Sequence, residues 1–344
     1  MTHGEPPGGK AEILKMACGA ENYGLCRGVA QTGSGMRESI GRQENKMEKE
    51  LEIENGILTY LVDSGGAKVL SCKVHGSRIT VPEEIANQPV TGLDKKAFLS
   101  AKALKEVRLP GTIGEIGDFA FAYCSNLESI WLPGHEISMG RGIFKDCHLL
   151  SAVYPTEADG SFDVQTGRLL GAVPVKLEVD YLFTPQQAGT AQWLLRFDDK
   201  LREFLARPDE DGFVKMVYCG EEDIVANVEY YLLERKREKA RLCFLRLMND
   251  RGLSEELREQ LSGYLAAHTK GCESEAAWEV VFKEHGNEQA YYAAFTEAGC
   301  LTEENCDDIL TQMGESFPEM KAYLMRYRAE NMGEADFFAA LSLD

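Results

Sequence analysis

This 344-residue chain is poor in histidine, in paired-cysteine motifs and in basic charge, and each deficit excludes a class of function. The six histidines, at 3, 75, 135, 148, 268 and 285, are too scattered to nominate a metal site or a catalytic base. His285-Gly286-Asn287-Glu288 does not match the HExxH pattern of zinc proteases. The ten cysteines form no CxxC pair and no Cys/His cluster at zinc-ligand spacing, so neither a metal nor a disulfide framework is expected, and the thiols fit a reducing compartment. Lys and Arg total 37 against 56 Asp and Glu, a formal charge of −19. Such a surface repels phosphate backbones and anionic lipid headgroups, which argues against nucleic acid and membrane surfaces as partners. No apolar run is long enough to cross a bilayer, and residues 1–46 contain none that would serve as the core of a secretory signal. The expected location is the cytoplasm.

Motifs that carry chemistry are also missing. Gly111-Thr112-Ile113-Gly114-Glu115-Ile116-Gly117 is followed by no Lys-Ser/Thr, so its glycines are read as turn residues rather than a phosphate loop. Glu234 to Arg241 (ERKREKAR) mixes acids with bases on a helical pattern and reads as a solvated helix face, not a nucleic-acid site. The acidic pairs of the helices are likewise read as mostly solvent faces and caps. Cys300 and Cys306 bracket a helix start with no nearby base, so no catalytic thiol is expected. No catalytic residue, metal ligand or cofactor is nominated.

What the chain does hold is a passage written twice. Leu104 to Asn126 reads LKEVRLPGTIGEIGDFAFAYCSN, and Leu127 to Leu149 reads LESIWLPGHEISMGRGIFKDCHL. Leu104, Leu127 and Leu150 are 23 apart, as are Val107, Ile130 and Val153. The same spacing joins Phe121 to Phe144 and Cys124 to Cys147. A fixed period of this length means stacked units, none of which buries its apolar face alone. Within each unit LxxVxLP predicts a short strand with alternate residues inward, closed by a proline that cannot donate to a ladder.

The flanks follow from this. Residues 1–46 are Gly-rich without apolar periodicity and are read as a disordered tail or as untranslated sequence ahead of a start at Met47. Ile57–Val62 and Lys68–Val74 form a hairpin around Asp63-Ser64-Gly65-Gly66. A strand at Arg78–Val81 and an irregular repeat copy (Val90, Leu93, Ala97, Phe98, Ala101) follow, separated by an insertion near 83–88. Residues 52–155 are thus read as a repeat domain with a hairpin cap, and 156–189 as a cap and linker with one or two strand-like runs. From Thr190 the pattern is helical. Residues 239–265 align without gaps over 287–313 at an offset of 48, with Ser254-Glu255-Glu256 over Thr302-Glu303-Glu304 as helix starts. Residues 190–344 are therefore expected to be an all-α helical-repeat domain resembling HEAT or ankyrin stacking. The two parts differ in charge: residues 1–190 carry 24 acidic and 19 basic side chains, and residues 191–344 carry 32 and 18. The fold class is α+β and multi-domain, a short β-solenoid followed by helices.

The consensus LxxVxLPxxIxxIGxxAFxxCxx, and Gly117-Asp118-Phe119-Ala120-Phe121-Ala122-Tyr123-Cys124 above all, resembles the BspA-like leucine-rich repeats over residues 56–155. The second copy departs from it, with Gly142-Ile143-Phe144 where Ala-Phe is expected. Residues 190–331 look similar to the helical tails of some bacterial proteins with such repeats, notably at Lys321–Asn331. The resemblance implies a bacterial recognition scaffold for proteins or glycans without intrinsic catalysis, and it adds the cell surface as an alternative location.

In such strands the residues between inward positions face the concave sheet. Arg108, Trp131 and Tyr154 then lie in one row, roughly 5 Å apart, extended by Thr80. Glu106 and Ser129 belong to the neighbouring row. An aromatic pair beside an arginine suits a peptide or sugar platform. The competing reading is that Arg108 stacks on Trp131 and only covers the sheet. The function expected is non-catalytic recognition of a protein or peptide by the concave face, with the helical groove as a second surface and a glycan as a second ligand class. The alternatives are an enzyme with an unrecognised site among the helices and a surface adhesin exported without a standard signal.

Overall fold

The computed structural model describes residues 48–156, 163–213 and 228–332. The segment 1–46, with the choice between Met1 and Met47, lies outside the described residues.

Three antiparallel strands open the fold: β1 (Lys49–Ile53), β2 (Gly56–Asp63) and β3 (Gly66–Val74). The expected hairpin turn lies between Asp63 and Gly66, where Gly65 N–H donates to Asp63 Oδ1 at 2.8 Å and Gly66 takes φ 124°. β1 has no apolar run to announce it, and exists through pairing with β2. The insertion near 83–88 is itself a hairpin: β5 (Glu84–Ile85) pairs with β6 (Gln88–Leu93) across Ala86 and Asn87, both left-handed. That is the backbone of a two-residue type I′ turn.

The repeat then winds between two sheets. β4 (Arg78–Thr80), β7 (Glu106–Arg108), β9 (Ser129–Leu132) and β11 (Ala152–Pro155) form a parallel sheet in the order β11-β9-β7-β4. On the opposite side β8 (Glu115–Ile116) and β10 (Ser138–Met139) join β6, β3, β2 and β1. Leu104, Val107, Leu109, Leu127, Ile130, Leu132, Leu150 and Val153 are buried between them, as the period requires. Phe98, Phe121 and Phe144 stack at 4.9 and 5.8 Å, and Phe183 closes the stack edge-on at 5.3 Å. The thiols of Cys124 and Cys147 donate to the carbonyls of Phe98 and Phe121 one coil back, at 3.1 and 3.0 Å.

The departure from Ala-Phe is Ile143 in place of Ala120; the Gly142 before it answers a backbone need. Lys96, Phe119 and Gly142 are equivalent positions, and all are left-handed, with φ 63°, 57° and 58°. A glycine there removes strain that its counterparts carry. Gly117 and Gly140 serve differently from the turn role expected. A Cβ on either would come within 3.0 Å of the backbone of the preceding coil, so coil-to-coil approach excludes a side chain.

After the repeat the strand-like reading of 156–189 fails. Residues Val164–Ala172 are a helix, α1, capped by the Asp163 carboxylate on Gln165 N–H, followed by a π-helical turn at Val173–Leu177 and a 3-10 turn at Asp180–Leu182. Seven more helices follow among the described residues: α2 (Ala191–Ala206), α3 (Val228–Met248), α4 (Glu255–Ala267), α5 (Ala276–Glu279, continued by a π-turn to Glu284), α6 (Gln289–Glu297), α7 (Glu303–Met313) and α8 (Pro318–Asn331). The offset of 48 lays the second half of α3 over α6 and α4 over α7. Ser254 and Thr302 cap α4 and α7 as read, Thr302 in a reciprocal box with Asn305.

One charge reading is corrected and another refined. The 234–241 run is half-buried rather than a freely solvated face. Arg237 pairs with Glu279 at 2.6 Å, Arg241 with Glu234 and Glu284 at 2.6 and 2.7 Å, and the buried Lys239 with Asp209 at 2.6 Å. These bases tie α3 to its neighbours. Nor is every helical acid a cap or a solvent face: Asp198 of α2 is buried and accepts from Arg246 of α3 at 2.5 and 3.0 Å.

Candidate binding face

The parallel sheet places the nominated residues by register alone. Thr80 stands beside Arg108, Arg108 beside Trp131, and Trp131 beside Tyr154. The second row runs Arg78, Glu106, Ser129, Ala152. All eight alternate with buried positions and lie on the outer face of the sheet.

The arginine and the aromatics touch. The Arg108 guanidinium carbon lies 4.2 Å over the Trp131 ring, and the Trp131 and Tyr154 centroids are 5.0 Å apart at 41°. Glu106 holds the cationic end. Its Oε1 receives Arg108 Nε at 3.0 Å and faces Arg78 Nε at 3.1 Å. Arg78, which the row reading did not nominate, is two residues before Thr80. Its spacing to Glu106 is 28, the same as that of Thr80 to Arg108, so the placement of Thr80 already carried the signal for it.

The other end of the row is walled. Helix α1 lies on β11 with Gly167 against the Tyr154 ring and Gly171 against the Ala152 backbone. Burial, and secondarily Glu288, raises the Tyr154 phenol, while Arg168 pulls it the other way. Arg168 donates to Glu288 at 2.7 Å, and His285 Nδ1 meets the other Glu288 oxygen at 2.8 Å. The His285 ring stacks on Tyr291 at 3.6 Å. Hydrogen bonds from His285 and Arg168 hold the Glu288 carboxyl at about 2 despite partial burial. None of these four carried a sequence signal, since α1 and α6 are about 120 residues apart and meet only through folding.

Away from this face lies a cavity of about 1160 Å³ between the 139–148 turn, the π-helical turn after α1, the end of α2 and α3. Burial lowers the Lys176 ammonium and raises the Glu238 carboxyl there. Opposed shifts in one cavity are a feature of enzyme sites. Glu238, however, is engaged by Arg235 at 3.0 Å, the bordering Cys147 donates to Phe121, and His148 faces Asp146 at 3.7 Å. The described residues lining it assemble no nucleophile with its base. Among the described residues no group of three or more His, Cys, Asp or Glu is placed to hold a metal, and no helix is long and apolar enough to cross a membrane.

With two stacked sheets and a 23-residue coil established, the family model that matches is the BspA type leucine rich repeat region (6 copies), over residues 76–160. Residues 76–160 are a BspA-type leucine-rich repeat region. Several solved bacterial repeat proteins are similar. The leucine-rich repeat protein of T. pallidum is 26% identical, covering 31% of this chain and 50% of that one, with a TM-score of 0.28. A leucine-rich cell surface protein from Faecalibacterium prausnitzii is 24% identical over 31% of this chain and 30% of its own, TM-score 0.25. A leucine-rich repeat protein from Bacteroides ovatus is 25% identical over 30% and 28%, TM-score 0.27. The chain thus spans half or less of the length of each of these proteins. No functionally curated protein matches it. The BspA-type region points to a protein-interaction scaffold, and the face described above belongs to that region up to Tyr154.

Proposed function

We propose that the protein is a non-catalytic recognition scaffold whose outer parallel sheet binds a protein or peptide segment. The observation that carries this reading is the in-register row Arg108–Trp131–Tyr154, an exposed arginine beside two partly buried aromatics on a sheet whose positions are set by the coil itself. A row built on strands is preformed, so binding costs less ordering entropy than a loop would. Aromatic and arginine side chains are the residues that dominate interface energies. Thr80 and Ser129 supply small polar neighbours, and Glu106 orients the arginine.

The test is affinity capture from cells that make the protein, with wild type and Trp131→Ala side by side. Loss of a hot-spot aromatic costs about 2 kcal/mol or more, roughly thirtyfold in affinity. A partner held by wild type and lost by the variant supports the reading. A variant that melts earlier yet keeps every wild-type partner overturns it, and leaves Arg108 and Trp131 as a cover for the sheet.

A further inference from the structure

The charge on this face is unbalanced in a way that selects a ligand. Of the eight outward side chains on β4, β7, β9 and β11, two are cationic (Arg78 and Arg108), one is anionic (Glu106), and the other five are neutral. Both guanidiniums converge through Nε on one oxygen of that single carboxylate. Glu106 is mostly covered, its side chain 18% exposed, while Arg78 and Arg108 are 66% and 49% exposed. With Nε spent on Glu106, the Nη edge of each fork is left toward solvent. Arg108 is also held over the Trp131 ring at 4.2 Å, so its fork is positioned before any ligand arrives. The chain as a whole is strongly acidic, but within a screening length of ~8 Å the local pair of forks decides.

Resting on the reading above, we infer that the face takes an extended peptide carrying an aspartate or glutamate two residues from an aromatic or branched aliphatic residue. The carboxylate would close on the Arg78 and Arg108 forks. Side chains two apart in an extended segment share a face and are separated by ~7 Å. From a carboxylate above the Arg108–Trp131 stack, that span reaches the Trp131–Tyr154 edge, one to two strand spacings of about 5 Å away. The α1 wall then ends the row, because Arg168 is closed on Glu288 there. Four strands leave room for about five extended residues, a linear motif rather than a folded domain.

The test is selection of a random heptapeptide library on the intact protein, followed by synthesis of the consensus peptide and of its Glu→Gln or Asp→Asn counterpart. A fluorescein on the peptide reports binding by anisotropy, so wild type and every variant, Trp131→Ala included, are read in the same way. The expected result is an acid two positions from a large apolar residue, with the amide peptide binding at least ~10-fold more weakly. Arg78→Gln with Arg108→Gln should erase the difference between acid and amide peptides. Arg78→Lys with Arg108→Lys keeps the charge without the fork and should restore part of it, provided melting curves match wild type. A consensus without an acid, or an acid preference that survives the glutamine variants, overturns this inference while leaving the proposed function standing if Trp131→Ala still abolishes binding. Peptide binding unchanged in Trp131→Ala overturns the proposed function, and no enrichment at all overturns both.

Discussion

Asp198 and Asp199 are adjacent in α2 and have opposite fates. Asp198 is buried and forms a two-pronged pair with Arg246, which is fully buried and also donates to the carbonyls of Asn249 and Arg251. Asp199 is 75% exposed and meets Arg202 one turn on. Removing one partner of a buried pair strands the other charge, at a cost of about 3–5 kcal/mol. An exposed pair is worth about 0–1 kcal/mol. Asp198→Asn should therefore lower the urea midpoint sharply, while Asp199→Asn leaves it nearly unchanged; equal effects would refute the assignment. The helical period carried this distinction. Asp198 is four residues after Leu194 and three before Leu201, on the apolar side of the helix, and Asp199 is off it. The reading of the acidic pairs as mostly solvent faces and caps did not single out Asp198.

Helix α1 is the element that completes the repeat. A parallel sheet of coils ends in an open strand edge, which is a template for unwanted pairing. Gly167 and Gly171, four apart on one face of α1, let the helix lie directly on β11, where a Cβ would sit 2.8 Å from Val153 O and from Ala152 N respectively. Gly171→Ala should push the helix off the strand and destabilise the protein by about 1–3 kcal/mol, the usual cost of overpacking. The opposite outcome, a gain from higher helix propensity, would mean that the contact yields easily. Thermal melts of the variant and wild type decide between them. Strands β7, β9 and β11 were legible because each coil repeats the same inward residues at the same spacing. Helix α1 was not, because what holds α1 is a partner strand rather than its own pattern. The spaced glycines were the available signal.

At the scale of the whole molecule, the question is how the coil stack is joined to the helices. Arg168 on α1 pairs with Glu288 beside α6, which also receives His285, so one carboxylate links the cap of the repeat to the second helical unit. The row Arg108–Trp131–Tyr154 could be read from the 23-residue spacing, whereas the wall that bounds it depends on this long-range pairing and could not. The pairing is also pH-sensitive in a defined direction. Glu288 titrates at about 2 in the folded protein, first because of His285 and then Arg168, against ~4.3 for a free glutamate. A carboxyl depressed by folding contributes stability that is complete above its unfolded value and lost as the pH falls toward its folded value. Glu288→Gln cannot titrate and lacks the charge. Its melting temperature should lie below wild type near pH 4.5, and the margin should close between there and pH 2. If the gap persists undiminished to pH 2, the loss comes from the altered side chain and not from the Glu288 charge; no gap at any pH would make Glu288 a bystander at the junction.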